Sequence, residues 1–222
     1  MNLKKNICTF FAFCLLSGTS ALAEVNVGIT LSAVSYDASG TETVKSSGTK
    51  NTKTDTGMAP LGSIFIEKVS DTGAVFGIDI LPYEQKIGDG SNARTDTDTD
   101  DSADTAGTNK VDVKLAKMAT IYAELPVAIG YVKLGYSILD IQTDETSKTG
   151  STYGDEATAA FMIGLGRKGE MDNGAVWKTE LVYQRIKGAT FNGSKDSDSV
   201  RNVIKLDDVD TAQIRFSIAK SF

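Results

Sequence analysis

Histidine occurs nowhere in the 222 residues. Its absence removes the commonest general base and transition-metal ligand, and with them most hydrolase triads. The two cysteines, Cys8 and Cys14, both fall within the first 23 residues. If that segment is cut away no thiol remains, which excludes a disulfide framework and a Cys-ligated metal site. Beyond it, no apolar run approaches the roughly 18 residues that mark a spanning helix. Any passage through a membrane therefore has to be made by strands. Positive charge is also scarce. Without Lys4 and Lys5 the 23 basic residues become 21 against 29 acidic ones, a net charge of −8, which argues against nucleic acid as a partner because phosphates would be repelled.

The first 23 residues read as a secretory signal peptide. Lys4 and Lys5 supply a positive start, Ile7 to Leu16 (ICTFFAFCLL) an apolar core, and Ala21-Leu22-Ala23 a small-residue cleavage site, so cutting is expected before Glu24. Phe13 precedes Cys14 where lipoprotein processing wants a small residue, which argues against a lipid anchor.

From Glu24 onward the chain is dominated by alternation with a period of two. Val25, Val27, Ile29, Leu31 and Ala33 alternate with Asn26, Gly28, Thr30 and Ser32. Further segments of the same kind are expected at about 58–68, 74–86, 113–125, 129–141, 158–168 and 175–186. In the second, Phe65 interrupts an otherwise polar side. The last, Thr211 to Phe222 (TAQIRFSIAKSF), sets Ala212, Ile214, Phe216 and Ile218 against Gln213, Arg215 and Ser217. Eight strands result, each with a greasy face and a polar one, and each about long enough to cross a bilayer core when tilted.

The connections alternate in length. Segments 38–57, 88–109, 142–157 and 187–208 are rich in Ser, Thr, Gly, Lys and Asp, and read as long exposed loops. The others are short, such as Ser70-Asp71-Thr72-Gly73, Pro126-Val127 and the turn at 170–174. Short turns on one side and long loops on the other are the asymmetry of a membrane β-barrel. One long segment carries Asp96-Thr97-Asp98-Thr99-Asp100-Asp101. Alternate aspartates suit a calcium loop, but Asp101 stands where such a loop needs Gly, and Gly107 where it needs its bidentate Glu. A solvated acidic loop, with no metal or other cofactor, is the expectation.

The C-terminal strand with its final Phe222 resembles the closing strand of Gram-negative outer-membrane barrels, and the pattern of residues 24–222 resembles the small OmpA/OmpX-like family. The resemblance implies an all-β, eight-stranded antiparallel transmembrane up-and-down barrel, porin-like in architecture, with periplasmic termini and extracellular loops. It implies that Phe216, Ile218 and Phe222 act as an assembly signal for the barrel assembly machinery. It also implies contact with outer-membrane lipid and lipopolysaccharide, and a possible surface ligand for the loops. The role expected is structural or carried by the surface loops: envelope stabilisation, adhesion or shielding. A small gated porin is the alternative. The enzymes among such barrels depend on a histidine, so no enzymatic activity is expected. A soluble lipocalin-like barrel would instead place the greasy face inside.

With the greasy face outward, the inner face contains Glu67, Asp79, Glu124, Lys133, Lys178, Glu180 and Arg215. An eight-stranded barrel is just wide enough for side chains to fill it, and an unpaired charge there would cost several kcal/mol. A polar plug built around Asp79, Lys133, Glu180 and Arg215 is therefore expected, with the Arg215 fork on Asp79 or Glu180 in a bidentate pair.

Overall fold

The computed structural model describes residues 24–44, 48–97, 104–146, 152–194 and 202–222. The signal-peptide segment, with Cys8 and Cys14, and the Asp98 to Asp101 part of the acidic run lie outside them. Eleven strands are present among the described residues: β1 Val25–Val44, β2 Thr49–Val69, β3 Val75–Leu81, β4 Gln85–Thr97, β5 Asp104–Val127, β6 Gly130–Thr146, β7 Asp155–Glu170, β8 Ala175–Ile186, β9 Thr190–Asn192, β10 Val203–Leu206 and β11 Val209–Ser221. They form a closed antiparallel ring of eight staves in the order β1, β2, β3, β5, β6, β7, β8, β11, with β4 continuing the third stave and β9 and β10 added at the far end. Closure is made by β11 on β1, with Asn26 opposite Ser221 and Asp37 opposite Asp210. Val25 and Phe222 exchange backbone hydrogen bonds of 3.1 and 2.9 Å, so the wall has no free edge there.

Alternation decides which residues face out. Ile29, Leu31, Phe76, Leu134, Tyr136, Phe161, Leu165, Leu181 and Ile214 are all exposed on the outer surface. The inner surface of the same strands buries Glu67, Asp79, Glu124, Lys133, Glu180 and Arg215. That distribution is the inverse of a soluble barrel and removes the lipocalin-like reading. Phe65 faces inward, buried against Val176 and Ala219, which is why it broke the polar side of its strand.

Above this belt the sense of the alternation reverses. On β6, Val132, Leu134, Tyr136 and Ile138 point outward, whereas from Leu139 the apolar residues Leu139 and Ile141 point inward and Asp140 points out. The adjacent pair Ile138-Leu139 marks the switch. Leu139 and Ile141 join Leu81, Leu115, Ile186 and Phe191 in an apolar core that fills the barrel on the side away from the short turns. There the wall is organised as in a soluble protein, polar outside and apolar inside. The polar plug expected from the inner face therefore occupies only the lower part of the barrel, and this apolar core lies above it.

Two further expectations change. Segments 38–57 and 88–109 are paired strand over most of their length: β1 pairs β2 up to Val44 opposite Thr49, and β4 pairs β5 up to Thr97 opposite Asp104. Segments 142–157 and 187–208 also carry strand, including the ends of β6 and β7 and the short β9 and β10. Their threonines are good strand residues, and a hairpin with water on its outer face does not need the hydrophobic alternation that marks a membrane strand. Pro126 lies inside β5, opposite Tyr131, and the turn comes after it, at Ala128-Ile129.

The third stave breaks at Pro82, where β3 ends and β4 begins three residues later. Proline cannot donate to a ladder, and the ladder is not restored. β2 pairs β3 from Val69 opposite Val75 to Ile64 opposite Ile80; beyond this, among the described residues, no backbone pairing joins β2 to β4. Side chains span this seam instead. The Gly62 N–H donates to the Tyr83 hydroxyl, and Lys53 Nζ donates to the backbone oxygen and Oδ1 of Asp89 at 2.7 and 3.1 Å.

Candidate functional site in the lumen

The lower half of the barrel, toward the short turns, holds seven charged side chains in one alternating chain. Asp79 on β3 pairs with Arg215 on β11; Arg215 Nε faces Glu180 Oε2 on β8 at 3.4 Å. Glu180 Oε1 accepts from Lys133 Nζ on β6 at 2.9 Å, and Lys133 lies 3.3 Å from Glu124 on β5. Glu124 accepts from Lys178 Nζ on β8 at 2.9 Å through each oxygen, and Lys178 donates to Glu67 Oε2 on β2 at 2.6 Å. Asn26 Nδ2 ends the series on Glu67 Oε1 at 3.1 Å. Each base thus stands between two acids. This arrangement neutralises most of the buried charge with three cations.

The cluster is buried: Glu67 is 0 % exposed, Glu124 1 % and Lys178 2 %. Two tyrosines complete it. Tyr122 OH donates to Glu67 Oε2 at 2.7 Å and Tyr131 OH to Glu180 Oε1 at 2.9 Å. The Lys133 ammonium also lies 3.9 Å from the centre of the Tyr122 ring, a favourable cation–π position. The rings fit because Gly77 and Gly166 face them: a Cβ at either position would overlap Tyr122 or Tyr131.

Above the charges comes a neutral polar layer. Thr120 and Ser137 share a hydroxyl hydrogen bond of 2.8 Å, Gln184 Nε2 donates to Ser137 Oγ at 3.0 Å, and Gln213 Nε2 donates to Gln184 Oε1 at 3.0 Å. Two cavities of about 20 and 40 Å³ lie at this level and above it, room for a water or a few and far short of a passage. The apolar core then closes the barrel. The lumen is stacked from charged to polar to apolar.

All four residues of the expected plug, Asp79, Lys133, Glu180 and Arg215, meet in this chain of contacts. Arg215 does not grip one carboxylate bidentately. It divides its fork, with Nη2 on Asp79, Nε toward Glu180, and Nη1 3.7 Å from the Met162 sulfur. Glu67, Glu124 and Lys178, expected only to face inward, belong to the same chain of contacts. Asn26, Tyr122 and Tyr131 were not expected as partners, although the parity of Tyr122 with Glu124 along β5, and of Tyr131 with Lys133 along β6, puts both tyrosines on the inner face. Phe216 and Ile218 point outward in the belt, and Phe222 follows the strand that closes the ring, 77 % exposed.

No family model matches the sequence, and no curated protein matches it. Solved structures do. The chain is similar to the outer membrane protein AlkL determined in DMPC bilayers (14% identity, 93% of each chain, TM-score 0.49). It is similar also to OprG from Pseudomonas aeruginosa (13%, 89% of this chain and 95% of that one, 0.47) and to Ail, the attachment invasion locus protein of Yersinia pestis, solved with the heparin analogue sucrose octasulfate (14%, 90% and 99%, 0.40).

Proposed function

We propose that this chain is an integral outer-membrane β-barrel protein whose lumen is sealed by its own side chains, and whose role is structural or carried by the end opposite the short turns. The observation that carries the reading is the reversal of face polarity along single strands, shown by β6 at Ile138-Leu139. A belt that is apolar outside and charged inside suits hydrocarbon; a continuation that is polar outside and apolar inside suits water. From Ala212 to Phe222 the belt rises roughly 33 Å along the strand at about 3.3 Å per residue. A tilt of about 40° leaves roughly 25 Å across the bilayer, the height of such a belt.

The same geometry supports a stabilising, adhesive or shielding role over a pore. A solute would have to displace seven interlocked charges and then an apolar core. In this reading the short turns and both termini face the periplasm and the protruding hairpins face outward, in reach of lipopolysaccharide and surface ligands. Fractionation combined with protease treatment of intact cells tests it. The protein should sediment with outer membranes and be cut within the hairpins at 38–57 or 88–109, leaving the belt intact. Recovery in the soluble periplasmic fraction, or cleavage only after the outer membrane is opened, would overturn it.

A further inference from the structure

The upper end of the barrel holds a cavity of about 330 Å³, within the range of small-molecule sites. It opens at the seam where β2 and β4 are not paired. Its lining is mostly apolar, with Ile87, Val113, Phe191, Ile204 and Leu206, and includes two half-buried carboxylates, Glu42 and Asp55. The charges at this mouth other than Asp55 are occupied. Lys53 is held by Asp89; Lys86 lies 3.1 Å from Asp89 and 3.0 Å from Asp112; Glu42 faces the Tyr153 hydroxyl. Among the described residues no hydrogen bond or ion pair engages Asp55.

Space beside Asp55 is kept open by a specific device. The β4–β5 ladder slips its register between Lys86 and Gly88, leaving Ile87 unpaired, and Gly88, where pairing resumes opposite Val113, has no side chain. A Cβ on Gly88 would stand 3.8 Å from Asp55 Oδ2, so anything larger would grow into the cavity at the carboxylate. Glu42, Asp55 and Asp89 outnumber Lys53 in the lining, which disfavours an anion. A carboxylate in apolar surroundings binds a cation more strongly than one in bulk water.

We propose that this cavity binds a small organic cation, a molecule with an apolar body and a single ammonium head that pairs with Asp55 while the body lies against Phe191, Ile204 and Leu206. The mouth is level with β1 residues 38–42, above the apolar belt, so the ligand arrives from water. Only the side of the membrane from which it comes rests on the orientation proposed above.

The test uses the refolded full barrel in micelles and follows the backbone amides of Gly40, Asp55 and Gly88 by NMR. The probes are phenethylammonium, 2-phenylethanol and 3-phenylpropanoate, which share a ring and differ in head group. Phenethylammonium should shift these amides saturably and bind at least tenfold more tightly than the alcohol, with the carboxylate weaker still. Asp55→Asn should weaken it at least tenfold, and Gly88→Leu, which fills the space without straining the backbone, should abolish it in a barrel of unchanged circular dichroism. Equal binding of the three probes, no saturable shift, or a phenethylammonium affinity unchanged by either substitution would overturn the proposal. Because micelles have no sidedness, failure here leaves the cell-surface orientation standing, and failure of the protease experiment leaves the binding result standing.

Discussion

Replacing Lys178 by Met keeps the aliphatic stem and removes one charge from the centre of the lumen. The structure sets the size of the effect. Lys178 makes three charge-assisted hydrogen bonds, at 2.6 Å to Glu67 and 2.9 Å to each oxygen of Glu124, and all three residues are at most 2 % exposed. After substitution Glu67 keeps only its neutral donors, Tyr122 and Asn26, and Glu124 keeps Lys133 at 3.3 Å. Removing one partner from a dry, buried ion pair costs about 3 to 5 kcal/mol, most of it the uncompensated charge left behind. An exposed or hydrated pair would cost about 1 kcal/mol or less. Equilibrium unfolding by denaturant in micelles separates the two cases, and Trp177, the single tryptophan, reports it by fluorescence. The double variant Glu67→Gln with Lys178→Met removes an acid as well and should lose less than the single one. A Lys178→Met barrel within about 1 kcal/mol of the parent would show that water already fills the cluster, and would refute the sealed lumen.

Leu134→Arg and Ile163→Arg place a charge on the outer belt and should each cost about 2 to 4 kcal/mol in a lipid bilayer, whereas Ser35→Arg, on β1 opposite Ala212 at the upper edge of the belt, should cost about 1 kcal/mol or less. An equal loss at Ser35 would mean that the belt extends past that residue. Above the belt, the Arg185 fork on Asp210, at 2.7 and 2.8 Å, with the Tyr183 hydroxyl, holds the Asp210 carboxyl at about 2, below its ordinary 3.8. The folded value is the depressed one, so this contribution is present above about pH 3.8 and is lost as pH falls toward 2. Carboxyl NMR titration should find the Asp210 midpoint near 2, and Arg185→Gln should move it back toward 3.8; no movement would break the assignment. Deleting Asn92 to Gly107 removes the upper β4–β5 hairpin and leaves Gln85 opposite Leu115 and Ser91 opposite Lys110. The barrel should still fold, as heat-modifiable mobility in gels would show. Deleting Phe222 should lower the amount inserted in cells and barely affect refolding of purified protein; unchanged surface levels would remove its role in assembly.

Much of the barrel could be read from period-two alternation, because a strand between lipid and a filled lumen has a different environment on each face. Ile29, Leu134 and Ile163 face out and Glu67, Lys178 and Arg215 face in for that reason alone. The same logic hid the upper part. Where both the outer surface and the tip of a hairpin meet water, as at Thr41, Thr52 and Lys53, no alternation is required, and polar strand looks like polar loop. Ile138-Leu139 contained the signal for the reversal, since two adjacent apolar residues fit neither phase. The partners within the plug lay further from reach. Parity puts Lys133 and Lys178 inside, but which acid each meets depends on stagger around the ring, as in the contact between Glu67 and Lys178 across 111 positions of sequence. The seam was equally silent: one strand is expected over 74–86, straight through Pro82, where the stave breaks.

The sealed lumen is tested most directly by potassium efflux from liposomes into which the purified barrel has been folded and which have been recovered by flotation. Vesicles carrying the parent protein should retain potassium as well as empty ones, because seven interlocked charges and the apolar core above them leave no path for an ion. Rapid efflux that scales with the amount of folded barrel would contradict the seal and show that the lumen conducts.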